Sequence, residues 1–212
     1  VFLEAAKIHK MGIGVTGKTI TLSDQTGEVC TVESGKCLII DGGGNELNKR
    51  IAIQENAKVM LKNVKLAAPT TEVNTIEING SATLLLSGTN EINGATQGCP
   101  LTVIRGTLTI NGTDNDKLTL TGENSYNAGC LGLREGASLI INGGDIVADG
   151  SKTQHGSGIG AYWTGWNDPR YGSITINGGK INASGGGNSA GIGSGSQCGG
   201  GDIIITGGNI TA

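Results

Sequence analysis

The stretch Ile174–Ile181 reads ITINGGKI, and close copies occur at Leu139–Ile146 (LIINGGDI) and at Ile203–Ile210 (IIITGGNI). In each copy apolar residues recur at every second position, which is the period that a half-buried strand shows. A pair of glycines follows, and glycine readily adopts the positive φ angles that sharp corners of the backbone require. Each copy therefore predicts a short strand that ends at a corner.

Weaker copies of this pattern lie upstream, so the chain is a repeat array. The last apolar residues of the successive strands are Leu22, Ile40, Leu61, Leu86, Ile110, Ile141, Ile176 and Ile205. These anchors are 18 to 35 residues apart, a period typical of solenoids. Further short strands start near Gly98, Gly129, Gly158 and Gly191, and others follow the glycine pairs. With about three strands per repeat, the sequence predicts an all-β parallel β-helix of about eight coils over residues 17–212.

The composition excludes several classes of protein. The chain has 39 Gly but only 3 Pro in 212 residues, and its glycines do not recur every third position, which excludes collagen. A net charge of −3 and 36% hydrophobic residues disfavour disorder. The pI near 5.4 argues against nucleic-acid binding, and no apolar run is long enough for membrane insertion.

The two ends differ from the repeats. Residues 1–16 carry a loose helical stripe of apolar residues, which predicts a cap over the first coil. The stripe consists of Phe2, Leu3, Ala5, Ala6, Ile8 and Met11. The sequence ends inside a repeat, so we expect a fragment of a longer chain, or an open last coil that meets another domain or a second chain.

Five cysteines have no spacing that suggests zinc. Cys30 and Cys37 flank a short loop and are the better candidates for a disulfide. Cys99 and Cys130 align with Ile159 and Ile192 of later coils, so we expect them to be buried as small apolar side chains.

The longest spacing contains an aromatic insertion at residues 161–172. It holds four of the six aromatic residues of the chain, and aromatic rings stack on the C–H faces of sugars. Polar neighbours and the nearby histidine could bind hydroxyl or carboxylate groups. The alternative is that the insertion folds back over apolar side chains of the solenoid. The candidate ligand-binding residues are Tyr162, Trp163, Trp166, Asn167, Asp168, Arg170, Tyr171 and His155.

Other polar residues recur in successive repeats. Arg105, Arg134 and Arg170 each precede a strand, and they form either a basic line for an acidic polysaccharide or a set of solvated turn charges. Asn79, Asn111, Asn142 and Asn177 each follow an inner isoleucine, which predicts a structural ladder of amides at a corner. Asp114, Asp116, Asp145 and Asp149 offer oxygen ligands for Ca²⁺, although no loop motif specifies such a site.

The C-terminal repeats, from the glycine pair before Ile181 through Ile192 to Ala212, resemble the glycine-rich repeats of large secreted or surface proteins of anaerobic bacteria. They are more distantly similar to pectate-lyase-like β-helix proteins, including carbohydrate-binding members without catalytic activity. The resemblance implies a right-handed β-helix, an extracellular location, and contact with polysaccharide or host-surface glycans.

The expected function is therefore carbohydrate binding or adhesion. The alternative is a polysaccharide lyase or hydrolase, for which Arg170 or Arg134 would be the base and Asp145, Asp149 and Asp168 would lie near a metal. The sequence assembles no complete catalytic site for that chemistry. A structural stalk is a further alternative, and Thr-x-Thr strings such as Thr107–Thr109 raise ice binding as another class.

Overall fold

The protein is an all-β right-handed parallel β-helix, with the coils that the repeats predict and the hand that the resemblance implies. The structure, a computed structural model, describes residues 17–67, 73–123, 128–161 and 171–212. The described chain forms 22 strands in three parallel sheets, and one 3₁₀ turn at Leu22–Asp24. Each complete coil contributes one strand to each sheet. The predicted number of coils, about eight, and of strands per coil, about three, are therefore confirmed.

The chain runs through the sheets in a fixed order. The first sheet contains Lys18–Thr21, Cys37–Asp41, Lys58–Lys62, Ala82–Ser87, Thr107–Asn111, Ser138–Ile141, Ser173–Ile176 and Asp202–Ile205. The second contains Glu46–Asn48, Lys65–Ala67, Thr89–Asn93, Lys117–Thr121, Asp145–Asp149, Lys180–Ser184 and Asn209–Thr211. The third contains Val29–Val32, Arg50–Ile53, Ile76–Asn79, Leu101–Arg105, Leu131–Leu133, Ile159–Ala161 and Ile192–Gly193. The connection from the third sheet back to the first is called the third corner.

Stacked aliphatic side chains fill the interior. In the first sheet Ile110, Ile141, Ile176 and Ile205 are register partners in four successive coils. The partner below Ile110 is Leu84, however, and not the predicted anchor Leu86. A slip of two residues keeps every side chain on its face of the sheet, so this shift does not disturb the core.

The first anchor is also displaced. Ile20 pairs with Ile40, whereas the predicted anchor Leu22 lies in the 3₁₀ turn and is fully buried there. Both shifts have the same cause, because sequence periodicity identifies the inward face but does not distinguish registers that differ by two residues.

Three of the four predicted asparagines form an amide ladder. Asn142 Nδ2 donates to Asn111 Oδ1 over 3.0 Å, and Asn177 Nδ2 donates to Asn142 Oδ1 over 2.9 Å. Thr206 extends the ladder by donating its hydroxyl to Asn177 Oδ1 over 2.8 Å. Asn79 was wrongly included, because it ends a strand of the third sheet and pairs there with Arg105.

None of the five cysteines forms a disulfide, so the candidate pairing of Cys30 with Cys37 is wrong. Cys30 belongs to the interior core, whereas Cys37 lies with an outward-facing cluster of the first sheet. Cys99 and Cys130 are fully buried, as expected, and burial raises the pKa of Cys99 to about 11 and that of Cys130 to about 12. Their predicted alignment with Ile159 is wrong, because the register partner of Ile159 is Leu131.

The two ends of the coil stack differ in how far the structure describes them. The N-terminal cap predicted for residues 1–16 lies outside the described residues. Ile203, Ile204 and Ile205 are 43%, 50% and 51% exposed, because their strand is the last of the first sheet among the described residues. No helix in the described ranges is long and apolar enough to cross a bilayer.

Candidate functional site

A groove of about 270 Å³ lies on the outer face of the first sheet, next to the third corner. It crosses the strands Lys58–Lys62, Ala82–Ser87 and Thr107–Asn111. Its lining consists of Asn56, Ala57, Lys58, Ser81, Ala82, Thr83, Thr107 and Thr109. The groove is slightly smaller than pockets for drug-sized ligands, which occupy about 300–1,000 Å³.

The strand register produces the polar row at the centre of the groove. Lys58 pairs with Thr83, and Thr83 pairs with Thr109, so the three side chains leave the same face of three successive coils. Adjacent strands are about 4.8 Å apart, which places Lys58 and Thr109 about 10 Å apart along the axis. The row ends at the next coil, where Ile140 is the partner of Thr109.

Backbone contacts fix the corner beside this row. Ser81 Oγ accepts a hydrogen bond from the Thr107 amide over 3.2 Å, and the Ser81 amide donates to Glu55 Oε2 over 3.0 Å. The Asn56 amide donates to the Ser81 carbonyl over 2.6 Å. These contacts link three successive coils, so the corner wall of the groove is preorganised.

The polar side chains of the row, and that of Thr107 beside it, form no hydrogen bonds or ion pairs with other described residues. Within the described part of the chain, the hydroxyls of Thr83, Thr107 and Thr109 make no hydrogen bond, and Lys58 forms no ion pair. Lys62, on the same strand, instead pairs with Asp41 over 3.0 Å. The groove therefore offers a ligand three hydroxyl groups, which donate and accept hydrogen bonds, and one ammonium group, which only donates.

Further cations line the third corner. Arg105 and Arg134 are exposed at successive corners, as the predicted basic line requires. Arg105 donates its Nε–H to the Asn79 carbonyl over 2.9 Å, and it precedes the groove residue Thr107 by two positions. The third arginine of the predicted line, Arg170, lies outside the described residues.

The predicted aromatic site is only partly described. Tyr162, Trp163, Trp166, Asn167, Asp168 and Arg170 fall outside the described residues. Tyr171 is 3% exposed within the interior core, and burial raises the pKa of its hydroxyl. His155 is half-buried before the strand Ile159–Ala161, and its carbonyl accepts from the Ser196 amide over 3.1 Å. Because Ala161 ends a third-sheet strand and Ser173 begins a first-sheet strand, the insertion leaves and returns at the third corner.

The acidic residues considered for Ca²⁺ or catalysis have local structural roles or are dispersed. Both carboxylate oxygens of Asp116 accept hydrogen bonds, one from Gly88 and the other from Thr113. Asp149 Oδ1 accepts from the Ser151 amide and the Ser184 hydroxyl, each over 3.1 Å. In the described ranges, no group of three or more His, Cys, Asp or Glu side chains is arranged to hold a metal ion.

Asp145 and Asp149 belong to the second sheet, whereas Arg134 lies at the third corner. The structure therefore does not bring these three proposed lyase residues together. Sequence reasoning missed Lys58 and Thr83, because their common face becomes apparent only with the register across coils. The Thr107–Thr109 string was the one sequence signal on this groove.

The groove is the feature of the described residues from which function can be argued. No family model matches the chain, and neither the curated proteins nor the solved structures contain a match. The functional argument therefore depends on the chemistry of the groove and its surroundings.

Proposed function

We propose that this protein is an extracellular carbohydrate-binding module that attaches to acidic polysaccharide or surface glycans through the first-sheet groove. The observation that carries the proposal is the row of Lys58, Thr83 and Thr109, whose polar groups lack partners among the described residues. A sugar presents hydroxyl groups that both donate and accept, and threonine hydroxyls complement them in both senses.

The cations at the groove favour an acidic ligand, and they outnumber the one carboxylate described at its corner wall, that of Glu55. The Lys58 ammonium has three donors and no carboxylate partner in the described chain, so a uronate carboxylate could take that position. Arg105 at the adjacent corner adds a second cation to the same side. The protein as a whole has a net charge of −3, so attraction of an anion must come from this local arrangement.

The direction of the groove favours a linear polymer. Its polar row runs across successive coils, and a chain of sugar rings lying parallel to the axis would meet equivalent side chains at intervals of about 4.8 Å. The same third corner later carries the insertion at residues 161–172.

A binding panel with hydroxyl-deletion variants tests this proposal. The probes are tetramers of galacturonate and glucose, and affinity is measured by titration calorimetry. Thr83→Val and Thr109→Val remove hydroxyl groups with little change of shape, and each should weaken galacturonate binding about fivefold because a net hydrogen bond contributes about 1 kcal/mol.

Thr119→Val is the matched control. Thr119 is half-buried on a second-sheet strand and also lies in a Thr-Leu-Thr string, but it is not part of the groove. We expect Thr119→Val to bind tetragalacturonate with the affinity of the wild type. Equal losses for Thr119→Val and Thr83→Val, or the absence of binding to galacturonate, would contradict the proposal.

A further inference from the structure

One residue of the groove has a backbone conformation that favours glycine. Asn56, which lines the groove, has φ of +60°, in the left-handed region. It is the third residue of the turn Gln54–Ala57, in which the last amide donates to the first carbonyl over 3.2 Å. Two other turns at the third corner are closed by the same hydrogen bond, and their third residues are Gly35 and Gly136, with φ of +69° and +72°.

The backbone alone does not favour asparagine at this position. In the left-handed region the Cβ atom crowds the following carbonyl oxygen, although asparagine is disfavoured less than most residues. The described ranges contain two further non-glycine residues with positive φ, Asn63 and Gln197. Gln197 is the third residue of a third-corner turn outside the groove. Asn63 has a structural role, because its Oδ1 accepts from the Thr89 amide over 3.2 Å.

The Asn56 side chain has no comparable role within the fold. It is exposed, and neither its oxygen nor its nitrogen forms a hydrogen bond with another described residue. Its backbone is held, since the Asn56 amide donates to the Ser81 carbonyl of the next coil over 2.6 Å. The groove is therefore lined by a carboxamide that has one acceptor oxygen, two donor hydrogens and an anchored backbone. An anchored backbone reduces the entropy that is lost when a ligand binds.

We propose that Asn56 is a specificity-determining residue of the groove, and that its carboxamide binds two neighbouring hydroxyl groups of the sugar. This inference rests on the carbohydrate proposal. One sugar hydroxyl would donate to Oδ1, and the adjacent hydroxyl would accept from Nδ2, so the two pairs of groups are complementary.

The position of Lys58 agrees with this assignment. Lys58 follows Asn56 by two positions and lines the same groove. A uronate ring carries its carboxylate on the side opposite to its 2- and 3-hydroxyl groups. One ring can therefore place the carboxylate at the ammonium of Lys58 and the hydroxyl pair at the carboxamide of Asn56. The substrate class is a uronate polymer whose vicinal hydroxyl groups are free.

Titration calorimetry with two ligands tests the assignment. Tetragalacturonate and its 2,3-di-O-acetylated form both carry the carboxylates, but only the first has free hydroxyl pairs. The wild type should bind the free form about fivefold more tightly or better, because acetylation removes the hydrogen bonds that the pair makes with Asn56. Asn56→Gly should bind the free form about fivefold more weakly than the wild type and should lose the preference.

Urea denaturation separates this role from a structural one. Glycine adopts positive φ without strain, so Asn56→Gly should have a denaturation midpoint equal to or above that of the wild type. Asn63→Gly is the matched control, because Asn63 follows the strand Lys58–Lys62, has φ of +50° and lies outside the groove. It should retain the affinity and the ligand preference of the wild type.

The outcomes distinguish this inference from the carbohydrate proposal. Binding of tetragalacturonate that depends on Thr83 but is unchanged in Asn56→Gly would overturn the role of Asn56 alone. Equal affinity of the wild type for the free and acetylated forms, the same loss in Asn56→Gly and Asn63→Gly, or a lowered midpoint in Asn56→Gly would also overturn it. No binding of tetragalacturonate by the wild type would overturn both proposals.

Discussion

Lys58 and Thr83 are direct register partners on adjacent parallel strands, and both side chains leave the outer face of the first sheet. Their proximity depends on the solenoid, because they are 25 positions apart in the sequence and one complete coil brings them side by side. The same register that stacks the interior aliphatic side chains therefore assembles the polar groove. Stability of the coils and geometry of the site are consequently linked.

The amide ladder should contribute measurably to stability. Asn142 occupies its centre, with one hydrogen bond to Asn111 and one from Asn177. We expect Asn142→Ala to lower the free energy of unfolding by about 1 kcal/mol, since the ladder is solvent-exposed and its amides can rebind water. Urea denaturation followed by circular dichroism measures this change. Asn79→Ala, outside the ladder, should lower the free energy of unfolding by less. An equal decrease would show that the ladder does not contribute to stability.

Two glycines with positive φ should respond differently to alanine. Gly160 has φ of +134°, and an added methyl group would lie 1.9 Å from the Gly193 carbonyl oxygen of the next coil. Gly136 has φ of +72° with no atom within 4 Å of that position. Gly160→Ala should lower the free energy of unfolding by about 3 kcal/mol or more, whereas Gly136→Ala should lower it by about 1 kcal/mol.

Chemical denaturation of both glycine variants measures the difference. Similar costs at the two positions would contradict the tight coil stacking at Gly160. A gain of stability at Gly136 would contradict the left-handed conformation assigned there.

Asp149 should make stability depend on pH. Hydrogen bonds from the Ser151 side chain and amide, and from Ser184, lower the pKa of its carboxyl group below the ordinary value despite partial burial. A lowered folded-state pKa favours the ionised form, so this stabilisation is present above the unfolded-state pKa of about 3.9 and is lost as pH falls through the folded-state value.

The free energy of unfolding should therefore fall from about pH 5 downwards, and the fall should be shallower in Asp149→Asn. Asp145→Asn removes a carboxylate from the same strand and is the control. Denaturation midpoints measured across this pH range test the prediction. Identical pH profiles for the wild type and Asp149→Asn would refute it.

The sequence predicts the coil architecture well because period-two alternation and glycine pairs report local backbone requirements. It identifies Ile141, Ile176 and Ile205 as stacked partners, and the structure confirms them. It misplaces Leu22, and it misses the shift between Leu86, which pairs with the anchor Leu61, and Ile110, since a slip of two residues leaves the hydrophobic pattern unchanged. Register is a property of neighbouring coils and has no local signature.

The candidate site was harder to predict for related reasons. Lys58 and Thr83 are unremarkable in their own repeats, and only the coil stacking aligns them. Met60 and Leu85 lie within continuous apolar runs, from which the sequence does not reveal that they face outwards. Cys30 and Cys37 are close in sequence, but they lie on different sheets and face the interior and the exterior respectively.

The Lys58 ammonium is the group that should distinguish acidic from neutral ligands. Lys62 provides a control with the same charge, strand and face, but its ammonium is paired with Asp41. Tetragalacturonate and its fully methyl-esterified form provide a matched ligand pair, since esterification removes the charge and retains the sugar rings. A charge-assisted hydrogen bond contributes about 1.5–3 kcal/mol, which corresponds to a ratio of affinities of about tenfold or more.

The most direct test of the carbohydrate proposal is that affinity ratio, measured by titration calorimetry for the wild type, Lys58→Gln and Lys62→Gln. We predict that wild type and Lys62→Gln bind the acid at least tenfold more tightly than the ester, and that Lys58→Gln loses this preference. No binding of the acid, equal binding of acid and ester by the wild type, or the same loss in both lysine variants would contradict the account.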